Sequence, residues 1–315
     1  MRLLEVGPRD GLQNEKKILT LDQRESFISG LVDAGLTHIE VGSFVKKEAI
    51  PQLQDTAELL NRVIKLKKKN SSLKFWAFVP NERGLEDALQ TKIDGIALHT
   101  ATSETFVKKN INRTFAENKI ALKNIFHSLK KDKRKSRIYL STLVYCPFEG
   151  IISPKKVFAW TDFLLDLGYR EIALSDTTGH AHPNNLKPIL EPLLKKYSAK
   201  NFALHFHDTR GTALLNTHYA LSLGYTLFDS SLGGAGGCPY APGASGNLAT
   251  EDLIYYLQSR GKCKDISLNK LATTSKNLET WLDKKLPSKV FQSLVSQEQV
   301  MKQIMNCNTT KGSKK

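Results

Sequence analysis

Short apolar and β-branched runs recur at Leu3–Val6, His38–Val41, Lys74–Val79, Gly95–His99, Arg137–Leu143, Glu171–Leu174, Asn201–Phe206 and Thr226–Asp229, and each predicts a strand. Between them, apolar residues return with helical period over Leu21–Ala34, Ile50–Leu66, Glu82–Leu89, Glu117–Leu129, Pro154–Leu167, Pro183–Tyr197 and Thr212–Leu223, and a further helix follows over Leu248–Gln258. The punctuation agrees. Gly35, Gly168 and Gly224 each close a helix shortly before the next strand, and Ser153-Pro154 opens one.

Successive strand–helix units spread over roughly 250 residues predict a (β/α)8 TIM barrel, whose reactive groups sit on the loops after the strands' carboxyl ends. A doubly wound sheet is the competing fold. It would carry a glycine-rich phosphate loop after an early strand, and neither G-x-G-x-x-G nor G-x-x-x-x-G-K-[ST] occurs. The chain past Gly261, with helices around Leu268–Leu282 and Pro287–Met305, exceeds what a barrel needs. The expected organisation is a barrel domain over 1–260, a C-terminal helical extension over 261–305 and a disordered basic tail over 306–315.

Composition narrows the class. With 315 residues, 40% hydrophobic and 24% charged, the chain can bury a sizeable core and is neither collagen-like, disordered nor membrane-embedded. A net charge of +15 raises nucleic acid as a partner. Its distribution argues against that: the clusters Lys65–Lys69, Lys130–Arg137 and Lys311–Lys315 lack interleaved aromatics and read as solvated helix ends and a tail. A positive surface would also steer a phosphorylated small substrate. Cys146, Cys238, Cys263 and Cys307 show no C-x-x-C spacing and are too sparse for a disulfide framework, so a reducing compartment is expected. No signal-peptide pattern and no membrane-length apolar run is present, which makes the cytoplasm the default and a membrane partner unexpected.

Polar groups cluster where the predicted strands end: Arg9-Asp10-Gly11, Glu40 and Ser43, Ser175-Asp176-Thr177, His205-x-His207-Asp208 and Asp229, with Cys238 and Asn247 in the last loop. His205 and His207 are two apart on a strand, so both imidazoles leave one side of the pleat and can grip one ion. Two histidines with carboxylate and amide oxygens suit a hard or borderline octahedral cation, Mg2+ or Mn2+, better than structural zinc. The glycine-rich stretch Gly233–Asn247 reads as a mobile lid or a close-approach surface, and a thiol presented there over a cationic site suits a general acid.

These residues carry a resemblance. The run V-G-P-R-D-G-L-Q-N-E at Val6–Glu15, I-E-V-G-S-F at Ile39–Phe44, H-F-H-D-T at His205–Thr209 and G-G-C-P-Y-A-P-G-A-S-G-N-L-A-T-E-D at Gly236–Asp252 closely resemble the 3-hydroxy-3-methylglutaryl-CoA lyases, from about Leu3 to Lys289. R-D-G-x-Q is shared with a wider superfamily that includes isopropylmalate and homocitrate synthases and the pyruvate carboxylase carboxyltransferase domain. The Cys-Pro-Tyr loop resembles the lyase branch.

The resemblance implies a divalent cation held by Asp10, His205, His207 and Asn247, and metal-assisted cleavage of an acyl-CoA substrate to acetyl-CoA and acetoacetate. It further implies that Arg9 neutralises the developing enolate, that Cys238 delivers a proton, and that Gln13 and Lys16 lie near the coenzyme A portion. Glu40 and Asp176 match positions that either handle protons or only orient Arg9 and the ligands. A homodimer is expected.

This chain departs from the family in reading Ala173-Leu174-Ser175-Asp176-Thr177, and in placing His180 and His182 where small or apolar residues are usual. Those changes make a related 3-hydroxy-3-alkylglutaryl-CoA an alternative substrate. Cys307 does not match the C-terminal cysteine motif of some relatives. A Claisen-type synthase on the same scaffold is disfavoured because such relatives add a long regulatory domain, and a non-catalytic basic barrel is disfavoured by the complete set of site residues.

Overall fold

The computed structural model describes residues 1–46, 48, 50–132, 134–238 and 241–297, with the backbone path alone at 238 and 241–245. Eight parallel strands, Arg2–Glu5, His38–Ser43, Lys74–Phe78, Gly95–Ala101, Lys135–Ser141, Ile172–Asp176, Phe202–Phe206 and Leu227–Ser230, close one barrel in chain order. Closure comes from the first strand, which pairs with the eighth over Arg2↔Leu227 to Glu5↔Ser230 and with the second at Glu5↔Ile39. The predicted TIM barrel is the fold.

Strand alternation decides what lies inside and outside the wall. On the outer face, aliphatic side chains such as Leu3, Ile39, Phe75, Ile138 and Ile172 merge with the helices into one large core. The interior is a layered fill. Ala97, Ala173 and Ala203 surround Tyr139, and Leu4 and Val6 pack on Trp76. Small residues on several strands thus leave volume for large side chains from their neighbours.

Local chemistry explains the helices. Thr20 and Gln23 cap Leu21–Asp33 reciprocally, at 3.2 Å to the Gln23 N–H and 2.8 Å from the Thr20 N–H. Asn81 accepts from the Gly84 N–H at 2.9 Å at the start of Glu82–Leu89, and Pro154 follows the Ser153 cap of Pro154–Leu167.

Several expectations need correction. The helix expected over Ile50–Leu66 is broken: a tight turn at Pro51–Leu53 is separated from the helix Thr56–Val63 by Asp55, which adopts a left-handed backbone with φ of 58°. Helix Glu104–Ile111 went unread because its apolar face is only two turns long. The helix expected from Leu248 starts at Thr250, two residues later, and two hairpins, Tyr145–Cys146 with Gly150–Ile151 and Gly237–Cys238 with Ala241–Ser245, carry no sequence alternation long enough to announce them. Arg137 is the largest surprise. Expected on a solvated basic run, it is wholly buried inside the barrel, because it takes an inward position on the fifth strand and pairs with Asp229 at 2.8 Å.

Beyond the barrel, helix Leu268–Leu282 lies against Leu21–Asp33, and residues 289–297 are helical. Leu271, Leu278, Leu286 and Phe291 belong to the same core as the barrel helices. The last eight residues expected in the extension, and the tail with Cys307, lie outside the described residues. A β-carbon added at Gly30 would strike the Thr274 side chain, so the two helices meet there backbone to side chain. Gly30→Val should therefore destabilise the protein by about 1–3 kcal/mol through overpacking, read as a lower thermal midpoint. An unchanged midpoint would refute that contact. Among the described residues no helix is long and apolar enough to cross a membrane.

Candidate active site

After the first strand the backbone makes one wide turn over Gly7–Gly11, in which the Val6 carbonyl accepts N–H groups from Arg9 at 3.1 Å, Asp10 at 2.7 Å and Gly11 at 3.2 Å. Three donors on one oxygen leave successive side chains, Arg9 and Asp10, at the barrel mouth. Arg9 is buried, and its guanidinium donates to Glu40 at 2.8 Å and to Asp10 at 2.6 Å. It lies 5.0 Å from the centroids of both the Phe78 and Tyr139 rings. Tyr139 completes the arrangement by donating its hydroxyl to the same Glu40 oxygen at 2.9 Å.

Electrostatics keep this arginine charged. Burial opposes its charge, but Glu40 and Asp10 more than offset that and raise its pKa. Burial pushes Glu40 above the ordinary carboxylate range against the pull of Arg9 and Arg137. Burial would also raise Asp10, yet Arg9, His205 and His207 hold it well below that range.

The seventh strand carries His205 and His207, the predicted same-face pair. Ligand atoms of Asp10, His205 and His207 all lie within 4.8 Å of one another. Asn247 joins them: its backbone bridges to His207, and its side-chain amide donates to Asp10 at 3.0 Å and to the Ala235 carbonyl at 3.3 Å, leaving Oδ1 as its donor atom. His205 Nδ1 sits 3.3 Å from Asp229, which Arg137 grips through both oxygens at 2.8 and 3.0 Å. That bond holds a proton on Nδ1 and turns Nε2, 4.0 Å from Asp10, toward the cluster. Burial above all pushes His207 down to about 3, so it stays neutral, and its buried Nδ1 has no hydrogen-bond partner. Two imidazoles, one ionised carboxylate and one amide oxygen fit a divalent cation.

The remaining expected site residues are distributed less evenly. Asp176 ends the sixth strand, buried and pushed up to about 6 by that burial, and it accepts the backbone N–H groups of His180 at 3.1 Å and Ala181 at 2.8 Å. Its bonds organise its own loop. Gln13 is half-buried and Lys16 exposed, and neither joins the bonds made by the Arg9 and Asp10 side chains. Cys238 ends the short strand Gly237–Cys238, paired with Ala241 across the hairpin. Pro239 and Tyr240 lie outside the described residues.

Two departures from the family pattern lose their apparent consequence. The Ser175 hydroxyl is spent on the Ala173 carbonyl at 2.9 Å, and His182 is exposed at the start of helix Pro183–Lys196. His180 differs, stacking on Tyr145 with centroids 3.9 Å apart.

Sequence reasoning missed Tyr139 and Arg137 and left Asp229 among the strand-end polar groups without a role. The available signal was polar residues at alternate positions, Arg137, Tyr139 and Ser141, along a strand expected to be buried.

The HMGL-like family model matches residues 1–278. Hydroxymethylglutaryl-CoA lyase of Bacillus subtilis is 41% identical over 288 residues, covering 91% of this chain and 95% of that protein. The crystal structure of the Bacillus subtilis HMG-CoA lyase superposes with a TM-score of 0.89 at 40% identity, over 93% of this chain and 97% of that one. An HMG-CoA lyase of Acinetobacter baumannii, solved in complex with coenzyme A and 3-methylmalate, superposes with a TM-score of 0.86 at 35% identity, over 93% and 94% of the two chains. With its barrel and its sequence matching along nearly their whole length, this chain belongs to the HMGL-like family, among the hydroxymethylglutaryl-CoA lyases.

Proposed function

We propose that the protein cleaves 3-hydroxy-3-methylglutaryl-CoA between C2 and C3, giving acetyl-CoA and acetoacetate. One observation carries the reading: a buried, charged Arg9 held by Glu40 stands beside the Asp10, His205 and His207 cluster at one mouth of the barrel. In the reaction the C3 hydroxyl loses its proton and becomes a ketone, the C2–C3 bond breaks, and its electron pair leaves on C2 as the thioester enolate. A proton on C2 then completes acetyl-CoA.

Asp10, His205, His207 and the Asn247 amide oxygen would hold a divalent cation, Mg2+ or Mn2+, which would supply Lewis acidity toward the substrate hydroxyl. Arg9 offers a fixed, permanently charged planar donor to the enolate oxygen. Glu40 acts through Arg9, whose Nε it holds at 2.8 Å, and is a positioning residue. Asp176 fixes the loop beside the mouth through two backbone N–H groups. Exposed Lys16 and half-buried Gln13 serve the coenzyme A portion. Cys238 on the glycine-hinged hairpin returns the proton to C2.

The deciding experiment incubates the purified protein with Mg2+ and the thioester and assays acetoacetate and acetyl-CoA in equal amounts. Absence of acetoacetate refutes the reading. For the proton donor, Cys238→Ser should keep its metal and lose about 10²-fold of turnover or more, since a hydroxyl is a much weaker acid than a thiol. A variant that turns over at the parental rate would leave Cys238 as a lid residue only.

A further inference from the structure

One fully buried carboxylate ties the turn after the first strand to both ends of the loop after the eighth, without touching the site itself. Leu4 and Val6 pack on Trp76 inside the barrel while Leu3 joins the outer core, so alternation turns Glu5 outward, beneath the helices. Its Oε1 accepts two backbone N–H groups, from Gly7 and from Leu232, each at 2.8 Å. Its Oε2 accepts the Thr250 hydroxyl at 2.6 Å, and the Ser230 hydroxyl lies 2.8 Å from that same Thr250 oxygen.

Those partners are not scattered. Gly7 opens the turn that carries Arg9 and Asp10, Leu232 opens the turn that enters the Cys238 hairpin, and Thr250 opens the helix just after Asn247. Gly7 and Leu232 are far apart in sequence yet share one oxygen, which fixes the distance between the two loop roots. Gly7 has no space for a side chain either: a β-carbon there would sit 2.5 Å from Glu5 Oε1. Burial, with Glu251 nearby, pushes the Glu5 carboxyl up to about 7 against its three hydrogen bonds. An aliphatic side chain would fill this helix-facing position without that cost, so stability alone does not account for a carboxylate here.

We propose that Glu5 is a positioning residue, a clasp that sets Arg9, Asp10 and Asn247 in register with one another by tying the root of the Gly7–Gly11 turn to both ends of the loop that carries Cys238 and Asn247. The proposal rests on the lyase reading of the site. Loss of the clasp shifts catalytic groups relative to one another rather than removing any, and displacements on the ångström scale at such groups cost on the order of 10²-fold in rate.

The test compares Glu5→Leu with Glu5→Gln, which keeps the Oε1 acceptor for Gly7 and Leu232. Well below its thermal midpoint, Glu5→Leu should lose about 30-fold or more of kcat with KM nearly unchanged, while Glu5→Gln stays near the parent. Mn2+ affinity measured by calorimetry should fall about tenfold in Glu5→Leu, because Asp10 and Asn247 move apart. If Glu5→Leu does not fold, Gly7→Ala and Thr250→Val disturb the same clasp from its partners and should show the same pattern. Variants that lower only the thermal midpoint, with kcat and Mn2+ affinity intact, overturn the proposal. A parent protein that makes no acetoacetate refutes the lyase reading instead, and the Mn2+ affinities still decide the clasp.

Discussion

Exhaustive chelation should bring turnover of 3-hydroxy-3-methylglutaryl-CoA down to background, and Mg2+ or Mn2+ should restore it. The expectation follows from how the ligand atoms are prepared. His205 has its Nδ1 committed to Asp229, His207 is held neutral by burial, and Asp10 is held ionised above all by Arg9. Asp10 and His207 are therefore in their metal-binding protonation states near neutral pH, and His205 turns its Nε2 toward them. His207 also has a buried ring nitrogen with no partner, a cost that persists unless something polar is bound nearby. Asp229→Asn should weaken metal binding by about 10–100-fold without removing a ligand, since it disturbs the proton on His205 Nδ1. Full turnover in a verified metal-free sample would sink the assignment of Asp10, His205, His207 and Asn247.

The barrel was legible because its strands and helices repeat with clear punctuation, and the mouth was legible because Arg9-Asp10 and His205-x-His207 sit at strand ends. What stayed hidden was the interior support. Arg137 looked like one more cation in a basic run, since the sequence shows its neighbours in the chain but not that Ala97, Ala173 and Ala203 clear the inner volume beside its strand, around Tyr139. Glu5 was hidden for a related reason: a glutamate ending an apolar run reads as a solvated strand end until two distant backbone N–H groups are seen to converge on it. The broken helix after Ile50 turned on a single left-handed aspartate, Asp55, which helical periodicity does not register. The hydroxyl of Ser175 misled in the other direction, because strand position alone could not show that its own backbone consumes it.

Arg9→Met should lower kcat by about 10³-fold or more while the bound metal remains. The metal stays because Arg9 is no ligand, and Asp10 keeps His205, His207 and the Asn247 amide around it. The rate falls because no other cation among the described residues is gripped so firmly at that place: Glu40 and Asp10 hold the guanidinium through two bonds, and the Phe78 and Tyr139 rings flank it. Such a fixed donor needs no reorganisation as charge develops on the thioester oxygen, which is what a solvent molecule in its place would require. Methionine fills much of the volume but leaves Glu40 buried without its main countercharge. Glu40 then takes up a proton, its pKa being raised already by burial, so the fold survives with a lowered thermal midpoint. Arg9→Lys should recover only part of the loss, because an ammonium is a point charge and cannot bond Glu40 and Asp10 through a fixed planar fork. Kinetics, metal content and thermal midpoint measured together separate the roles: a folded, metal-loaded variant with normal kcat and a raised KM would reduce Arg9 to a substrate anchor.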